Sequence, residues 1–380
     1  MDTLVVHAGR ADLASLGVHA PPIDLSSTYP LPLLDAAEEA FQTLADGAAE
    51  AASPIYSRLA NPTVRRTERA LASLEHTEDA VCFASGMAAL TAAVLVACSE
   101  RRHVVAVRPL YGGSDTLLAC GLLRLEVTWV TADAIGAACK PDTGLVLLET
   151  PQNPTLGIVD IETAVRAAGG VPVLVDNTFA TPILQNPADH GAALVLHSAT
   201  KFLGGHGDVL AGVIATDANW AARLRKVRIL TGGVLHPFAA FLLHRSLQTL
   251  HLRVRAAQNN ARRLAALLAD HPAVVRVCYP DADGRQLRGP GAILAFEIVG
   301  GHEAAARLMA SVHLITPAVS LGCADTLIEH PAGLTHRLVS FETKETLGIT
   351  EGLLRLSVGL EAIGDLWDDL AAALAASQVS

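Results

Sequence analysis

Ala193-Leu194-Val195-Leu196-His197-Ser198-Ala199-Thr200-Lys201, with Phe202-Leu203-Gly204-Gly205-His206-Gly207-Asp208 behind it, is the stretch from which the organisation of this chain can be read. Its apolar opening is too short for a helix and fits a buried strand. Lys201 then stands at the strand's exit, after small hydroxyl residues and before a glycine-rich turn. An amine so placed suits Schiff-base chemistry beside a bound phosphate. An ordinary surface lysine fits this stretch equally well, so the rest of the sequence must decide.

Working outward, apolar runs of strand length at 104–107, 127–130, 145–148, 173–175, 194–196 and 212–215 alternate with helical stretches. Strands without polar alternation, separated by helices, predict an α/β fold with a mainly parallel central sheet covered by helices on both faces. A long helical stretch is expected over 238–270, with apolar residues at helical spacing. Beyond it, strands at 273–278, 292–298 and 354–358 with intervening helices predict a smaller C-terminal α+β domain. Before the sheet, the chain carries turn residues (Pro21, Pro22, Pro30, Pro32) and an Ala-rich helical segment over 33–52. This reads as an arm that packs on a partner subunit. The expected division is an arm over 1–54, an α/β domain over 55–236 that holds the site, and an α+β domain over 237–380.

With 380 residues and 51% hydrophobic content, the chain can bury substantial cores. Its 28 Lys and Arg against 38 Asp and Glu give a net charge of −10, which argues against a nucleic-acid groove or an anionic membrane surface. The opening residues lack a basic segment followed by a long apolar core, and no apolar stretch approaches about 18 residues. A cytoplasmic protein is expected. Its cysteines show no CxxC pair and no disulfide-rich spacing, so they read as reduced thiols.

Asp176 follows the strand over 173–175 and so stands at a C-terminal strand end, where α/β sites lie. With Lys201 on the next strand exit, it can address the opposite end of one planar cofactor. The carboxylate would hold a pyridinium N–H while the lysine condenses with an aldehyde. Ser85-Gly86-Met87 opens a helix after an apolar run, and free N–H groups there make an anion site, with a plain serine cap as the competing reading. Neither GxxxxGK[ST] nor GxGxxG follows a first strand, which favours a cofactor phosphate over a nucleotide. Tyr111, before Gly112-Gly113, can stack on a ring and present its phenol to a leaving group.

Together these segments resemble the pyridoxal-phosphate enzymes of cysteine and methionine metabolism, the family of cystathionine γ-synthase, cystathionine γ-lyase, cystathionine β-lyase and methionine γ-lyase. The resemblance spans nearly the whole chain and includes Tyr56-Ser57-Arg58, Ser85-Gly86-Met87, Tyr111-Gly112-Gly113, Glu149-Thr150-Pro151-Gln152-Asn153-Pro154, Asp176-Asn177-Thr178-Phe179, Ser198-Ala199-Thr200-Lys201, Ser320-Leu321-Gly322 and Arg355-Leu356-Ser357-Val358-Gly359. It implies the fold type I architecture of pyridoxal 5'-phosphate enzymes. It also implies that Lys201 is the Schiff-base lysine and proton shuttle, Asp176 the partner of the ring nitrogen, and Tyr111 the stacking tyrosine. By the same resemblance Ser85, Gly86, Met87, Ser198 and Thr200 hold the phosphate, while Tyr56 and Arg58 reach it from a neighbouring subunit. Arg355 grips the substrate carboxylate, helped by Asn153 and Ser320. A homodimer at least, and a homotetramer by the same analogy, is implied.

The implied reaction is α,γ-elimination on a small sulfur amino acid, giving 2-oxobutanoate, ammonia and a thiol. Charges that cystathionine γ-lyases often carry near the distal pocket are replaced here by Ile55, Thr116 and Val319, which favours a small apolar thioether. The segments Pro317-Ala318-Val319-Ser320 and Glu329-His330-Pro331-Ala332 look like methionine γ-lyase. The cysteine typical of that enzyme is Gly113 here, and its Lys-Asp pair appears as Arg228-Ile229. A cystathionine γ-synthase or O-acylhomoserine sulfhydrylase is the enzyme alternative, and a noncatalytic cofactor-binding module the alternative from another class.

Overall fold

The computed structural model describes residues 1–31 and 33–378; Pro32, named above among the turn residues, and residues 379–380 lie outside the described residues. Seven strands, β1 (Asp79–Phe83), β2 (His103–Val107), β3 (Glu126–Val130), β4 (Thr143–Glu149), β5 (Val173–Asp176), β6 (Leu194–Ser198) and β7 (Gly212–Thr216), form one sheet in the order β1-β7-β6-β5-β4-β2-β3. Only β7 runs against the others, pairing antiparallel with β1 and β6, and the remaining neighbours are parallel.

The continuous apolar runs are explained by burial on both faces. Along β1, Ala80 and Cys82 join the core that also holds Leu71 and Leu243, while Val81 and Phe83 face the core that holds Leu90 and Leu224. Helices Pro62–Glu75 and Pro237–Leu247 cover the first face, and Gly86–Ala97 and Ala218–Thr231 the second. Asn61 caps the helix that begins with Pro62, its Oδ1 accepting from the N–H groups of Thr63 and Val64 at 3.0 and 3.2 Å.

A second sheet contains β8 (Val274–Cys278), β9 (Ile293–Ile298), β10 (Thr316–Pro317), β11 (Leu327–Glu329) and β12 (Leu353–Ser357), in the order β10-β11-β12-β9-β8. Helices Leu250–Ala269, Gly301–Ser311 and Ile363–Ser377 share its core through Leu264, Leu308 and Leu370.

The structure departs from the expected elements in three places. The arm helix is Leu34–Ala45, shorter than 33–52, and a further helix, Asp2–His7, precedes it. The stretch 238–270 is two helices, Pro237–Leu247 and Leu250–Ala269, parted at Gln248 and Thr249. The break follows from tertiary capping: the Arg253 guanidinium donates to the carbonyls of Ser246 at 2.8 Å and of Phe202 at 2.8 Å, so the first helix's end is satisfied without continuing. Strands β10 and β11 are the third departure. Among the described residues no helix is long and apolar enough to cross a membrane.

Candidate active site

The C-terminal ends of β4, β5 and β6 open onto a cavity of about 200 Å³. Of the residues singled out in the sequence, Ser85, Gly86, Met87, Tyr111, Asn153, Asp176, Ser198, Thr200, Lys201, Ser320 and Arg355 all line it. Tyr56 and Arg58 do not. Tyr56 is exposed, and Arg58 donates from Nη1 to the Ile229 carbonyl at 2.9 Å while its guanidinium lies 5.6 Å from the Tyr56 ring centroid.

Asp176 ends β5 because the strand's apolar register runs out there, and the turn that follows is built on its own side chain. Its Oδ1 accepts from the Thr178 N–H at 3.0 Å and the Thr178 hydroxyl at 2.5 Å. Among the described residues nothing donates to its other oxygen. Burial raises the carboxyl above its ordinary value, and the two Thr178 hydrogen bonds and the nearby His197 pull it back. Thr178 also accepts the Ser198 N–H at 2.9 Å, which ties the exits of β5 and β6 together.

Lys201 donates from Nζ to the Ser320 hydroxyl at 2.9 Å. Burial and the Arg355 guanidinium push its amine below the usual lysine range, against the pull of Cys323 and Glu329. Gly322 takes a left-handed φ of +74°, and a Cβ there would lie 2.5 Å from the Phe202 nitrogen, so only glycine lets the Ser320 loop lie on the lysine's backbone. Arg355, in β12, donates from Nη1 to Asn153 Oδ1 at 2.9 Å and from Nη2 to the Ser320 carbonyl at 3.1 Å, and it pairs with Glu329 at 2.9 Å. Its buried Nε has no partner among the described residues.

Ser85 caps the helix Gly86–Ala97, its hydroxyl accepting the Ala88 N–H at 3.1 Å. The capping reading and the anion-site reading are compatible, since the N–H groups of Gly86 and Met87 still have no carbonyl acceptor within the helix. A Cβ on Gly86 would stand 3.0 Å from Ser198 Cβ, so the glycine lets the helix start press on the end of β6. The Thr200 hydroxyl is exchanged with Ala211, donating to its carbonyl at 3.2 Å and accepting its N–H at 3.0 Å. This set of parts fits pyridoxal phosphate: free N–H groups at a helix start, a half-buried carboxyl with an oxygen to spare, and an amine pushed below the usual lysine range.

Tyr111 stands at the mouth, its backbone N–H donating to Glu149 Oε2 at 2.8 Å. The next residue, Gly112, packs so closely on the Thr335 carbonyl oxygen that a Cβ would overlap it, and His336 Nε2 meets the Leu110 carbonyl at 3.1 Å. Past Tyr111 a hollow continues outward between Thr116, Val319, Leu334 and Leu338, and its lining carries no charged side chain among the described residues. Ile55 is elsewhere, packed with Leu44, Leu59 and Ile229. His206 is structural, held by the Gly204 carbonyl and the Ser246 hydroxyl at 2.8 and 2.9 Å. Burial pushes the half-buried Cys323 thiol up, away from the reactive thiolate.

Sequence reasoning passed over Glu149, Thr178 and Glu329. Each was present in a quoted segment without a role. The strand-exit argument applied to Asp176 and Lys201 would have found Glu149, which ends β4 and pairs in register with Asp176.

Residues 2–375 match the model of the Cys/Met metabolism PLP-dependent enzyme family. The chain is 57% identical over 379 residues to an L-methionine gamma-lyase of Streptomyces avermitilis, covering 98% of this chain and 89% of that one. It is 54% identical over 390 residues to an L-methionine gamma-lyase of Brevibacterium sandarakinum, covering 100% and 98%. The crystal structure of cystathionine gamma-lyase from Lactobacillus plantarum, complexed with L-serine, matches with a TM-score of 0.89 at 34% identity, over 100% of this chain and 99% of that one. A family match over nearly the whole chain, on a fold whose strand ends gather Lys201, Asp176 and the helix start at Gly86 around one cavity, means that this chain belongs to the pyridoxal-phosphate-dependent enzymes of cysteine and methionine metabolism.

Proposed function

We propose that this enzyme is a methionine γ-lyase, converting methionine and water to 2-oxobutanoate, ammonia and methanethiol. The observation that carries the reading is the uncharged hollow beyond Tyr111, where Thr116 and Val319 offer a methylthio group apolar contact and a second amino-acid head no counter-charge. The identities of 57% and 54% to enzymes named L-methionine gamma-lyase support it.

Pyridoxal phosphate, when bound, supplies an aldehyde that condenses with amines and a ring that holds an electron pair released at Cα. In this reading Arg355 takes the substrate carboxylate through a guanidinium steadied by Asn153 and Ser320. Lys201, its amine pushed below the usual lysine range by burial, removes the Cα proton and carries it onward. Asp176 holds the proton of the ring nitrogen. Ser85, Gly86, Met87, Ser198 and Thr200 hold the phosphate, and the Tyr111 phenol gives its proton to the departing sulfur. Tyr56 and Arg58, exposed and outside the lining of their own chain's cavity, are assigned to the phosphate of a second copy, so a complete site needs a homodimer at least, with a homotetramer proposed. The arm over 1–54 is assigned to that contact, and residues 55–236 and 237–380 to the cofactor-holding and C-terminal domains. The cytoplasm is the proposed setting, which suits six free cysteines.

Product analysis of cofactor-loaded protein tests the reading. Methanethiol and 2-oxobutanoate should form from methionine faster than cysteine and 2-oxobutanoate form from cystathionine. Cystathionine accumulating from an acyl-homoserine and cysteine, with little oxo acid from either thioether, would replace the lyase reading with a synthase.

A further inference from the structure

Glu149 and Asp176 end neighbouring parallel strands and are partners in register, so their side chains leave the sheet on the same face, about 4.8 Å apart at the backbone. Both line the same cavity. Glu149 is 3% exposed. Two carboxylates on adjacent strand ends, one buried and the other half-buried, cannot both keep a negative charge cheaply, and the proton goes to the one less well supplied with donors. The supply is unequal. Asp176 Oδ1 receives two hydrogen bonds from Thr178, whereas the one donor to Glu149 among the described residues is the Tyr111 backbone N–H, at 2.8 Å.

We propose that Glu149 is held as a neutral carboxylic acid in the working enzyme, a positioning residue that anchors the backbone of Tyr111 and leaves Asp176 as the sole negative charge of the pair. The charged and titratable groups around it are Asp176 on β5, Arg355 on β12 and Tyr111 in the loop after β2. Burial and the Asp176 charge raise the Glu149 carboxyl well above its ordinary value, and the Tyr111 N–H and Arg355 only partly oppose them. A neutral acid is also what the neighbouring chemistry requires. A second negative charge here would raise the proton affinity of Asp176, the proposed partner of the ring nitrogen, and Asp176 would take up a proton and lose the ionisation its role needs.

The consequence for catalysis rests on the reading of Asp176 as the ring-nitrogen partner, but the protonation itself can be measured without substrate. Infrared spectra of the holoenzyme at neutral pH should show a protonated-carboxyl band that moves on exchange into heavy water. The band should be lost in Glu149→Gln and kept in Glu329→Gln, the control for the other buried glutamate that burial raises. No such band, or a band untouched by Glu149→Gln, overturns the proposal. If Glu149→Gln does not accumulate as folded holoenzyme, absence of any exchangeable carboxyl band in the unaltered protein still refutes it.

Kinetics give a second readout. Glu149→Gln removes no charge, so the acid-side midpoint of the bound cofactor's visible absorbance should stay in place. An ionised Glu149 would be betrayed by a midpoint moving at least one unit to lower pH, because Asp176 would lose a like-charged neighbour. Glu149→Ala drops the Tyr111 anchor and should lose at least tenfold more kcat than Glu149→Gln, which keeps an oxygen for that N–H; equal losses would remove the positioning role. A clean band with no methionine turnover would fault the proposed function and leave this inference intact.

Discussion

Replacing Thr178 by valine keeps the shape of the side chain and removes one hydroxyl that serves two strand exits. The lost bond is the 2.5 Å donation to Asp176 Oδ1, while the backbone N–H donor at 3.0 Å remains. A hydrogen bond to a charged group in a buried site contributes about 1.5–3 kcal/mol. At about 1.4 kcal/mol per pKa unit, the Asp176 carboxyl should rise by about one to two units. The sign follows from the forces present: burial already raises this carboxyl, Thr178 opposes burial, and removing the opposition raises it further. The acid-side midpoint of the cofactor's visible absorbance should therefore move to higher pH by that amount, and cofactor affinity at neutral pH should fall about tenfold or more. Loss of the acceptor for the Ser198 N–H adds a structural cost of about 1 kcal/mol, visible as a lower melting temperature. Thr178→Ser keeps the hydroxyl and should restore the midpoint. A folded Thr178→Val protein that titrates with the unaltered one would refute the assignment of Asp176 and its support together.

Other expectations concern assembly and stability. Mixing Arg58→Ala and Lys201→Ala subunits should restore part of the activity that each lacks alone, since hybrid dimers contain one site with both residues intact; no recovery under demonstrated subunit exchange counts against a shared site. Arg228→Met should cost about 3–5 kcal/mol in denaturant unfolding, because it strips a buried partner from Glu68, now bonded at 2.6 Å; a loss under about 1 kcal/mol would show that Arg65 alone suffices. Burial holds the His336 imidazole down at about 4, from 6.5. Its contribution is present above pH 6.5 and is lost as pH falls towards 4, amounting to about 3.5 kcal/mol at about 1.4 kcal/mol per unit. Stability of His336→Gln, measured by denaturant unfolding across that window, should fall less steeply than that of the unaltered protein, and parallel curves would contradict this.

What the sequence discloses depends on how local the cause is. The strands of the large sheet are plain because every residue of β1, β2 and β4 is buried, and burial on both faces writes an unbroken apolar run. β10 is two exposed residues, one of them Pro317, and β11 is three, too short for any periodicity to register. The interruption at Gln248 and Thr249 has no local signal, since its cause is Arg253 reaching back to the Ser246 carbonyl. The site was legible where the residue type is unusual for its place, as with Lys201 and Asp176 at strand ends. Glu329 escaped notice because its partner Arg355 lies on another strand and only folding brings them to 2.9 Å. Arg58 illustrates another limit, for the role proposed for it toward a second copy would leave no trace in the contacts of one chain.

The contact between Gly112 and the Thr335 carbonyl, backbone against backbone, bears on how relatives of this enzyme can exchange parts. A recombinant joining the first half of one family member to the second half of another inherits the loop bearing Tyr111 from one parent and its floor from the other. With no side chain between them to absorb a mismatch, a displacement of a few tenths of an ångström in the floor passes directly to the phenol at the mouth of the site. Segments 110–113 and 331–337 should therefore be moved as one unit, and crossovers that divide them should yield proteins that fold and load cofactor yet discriminate poorly among substrates.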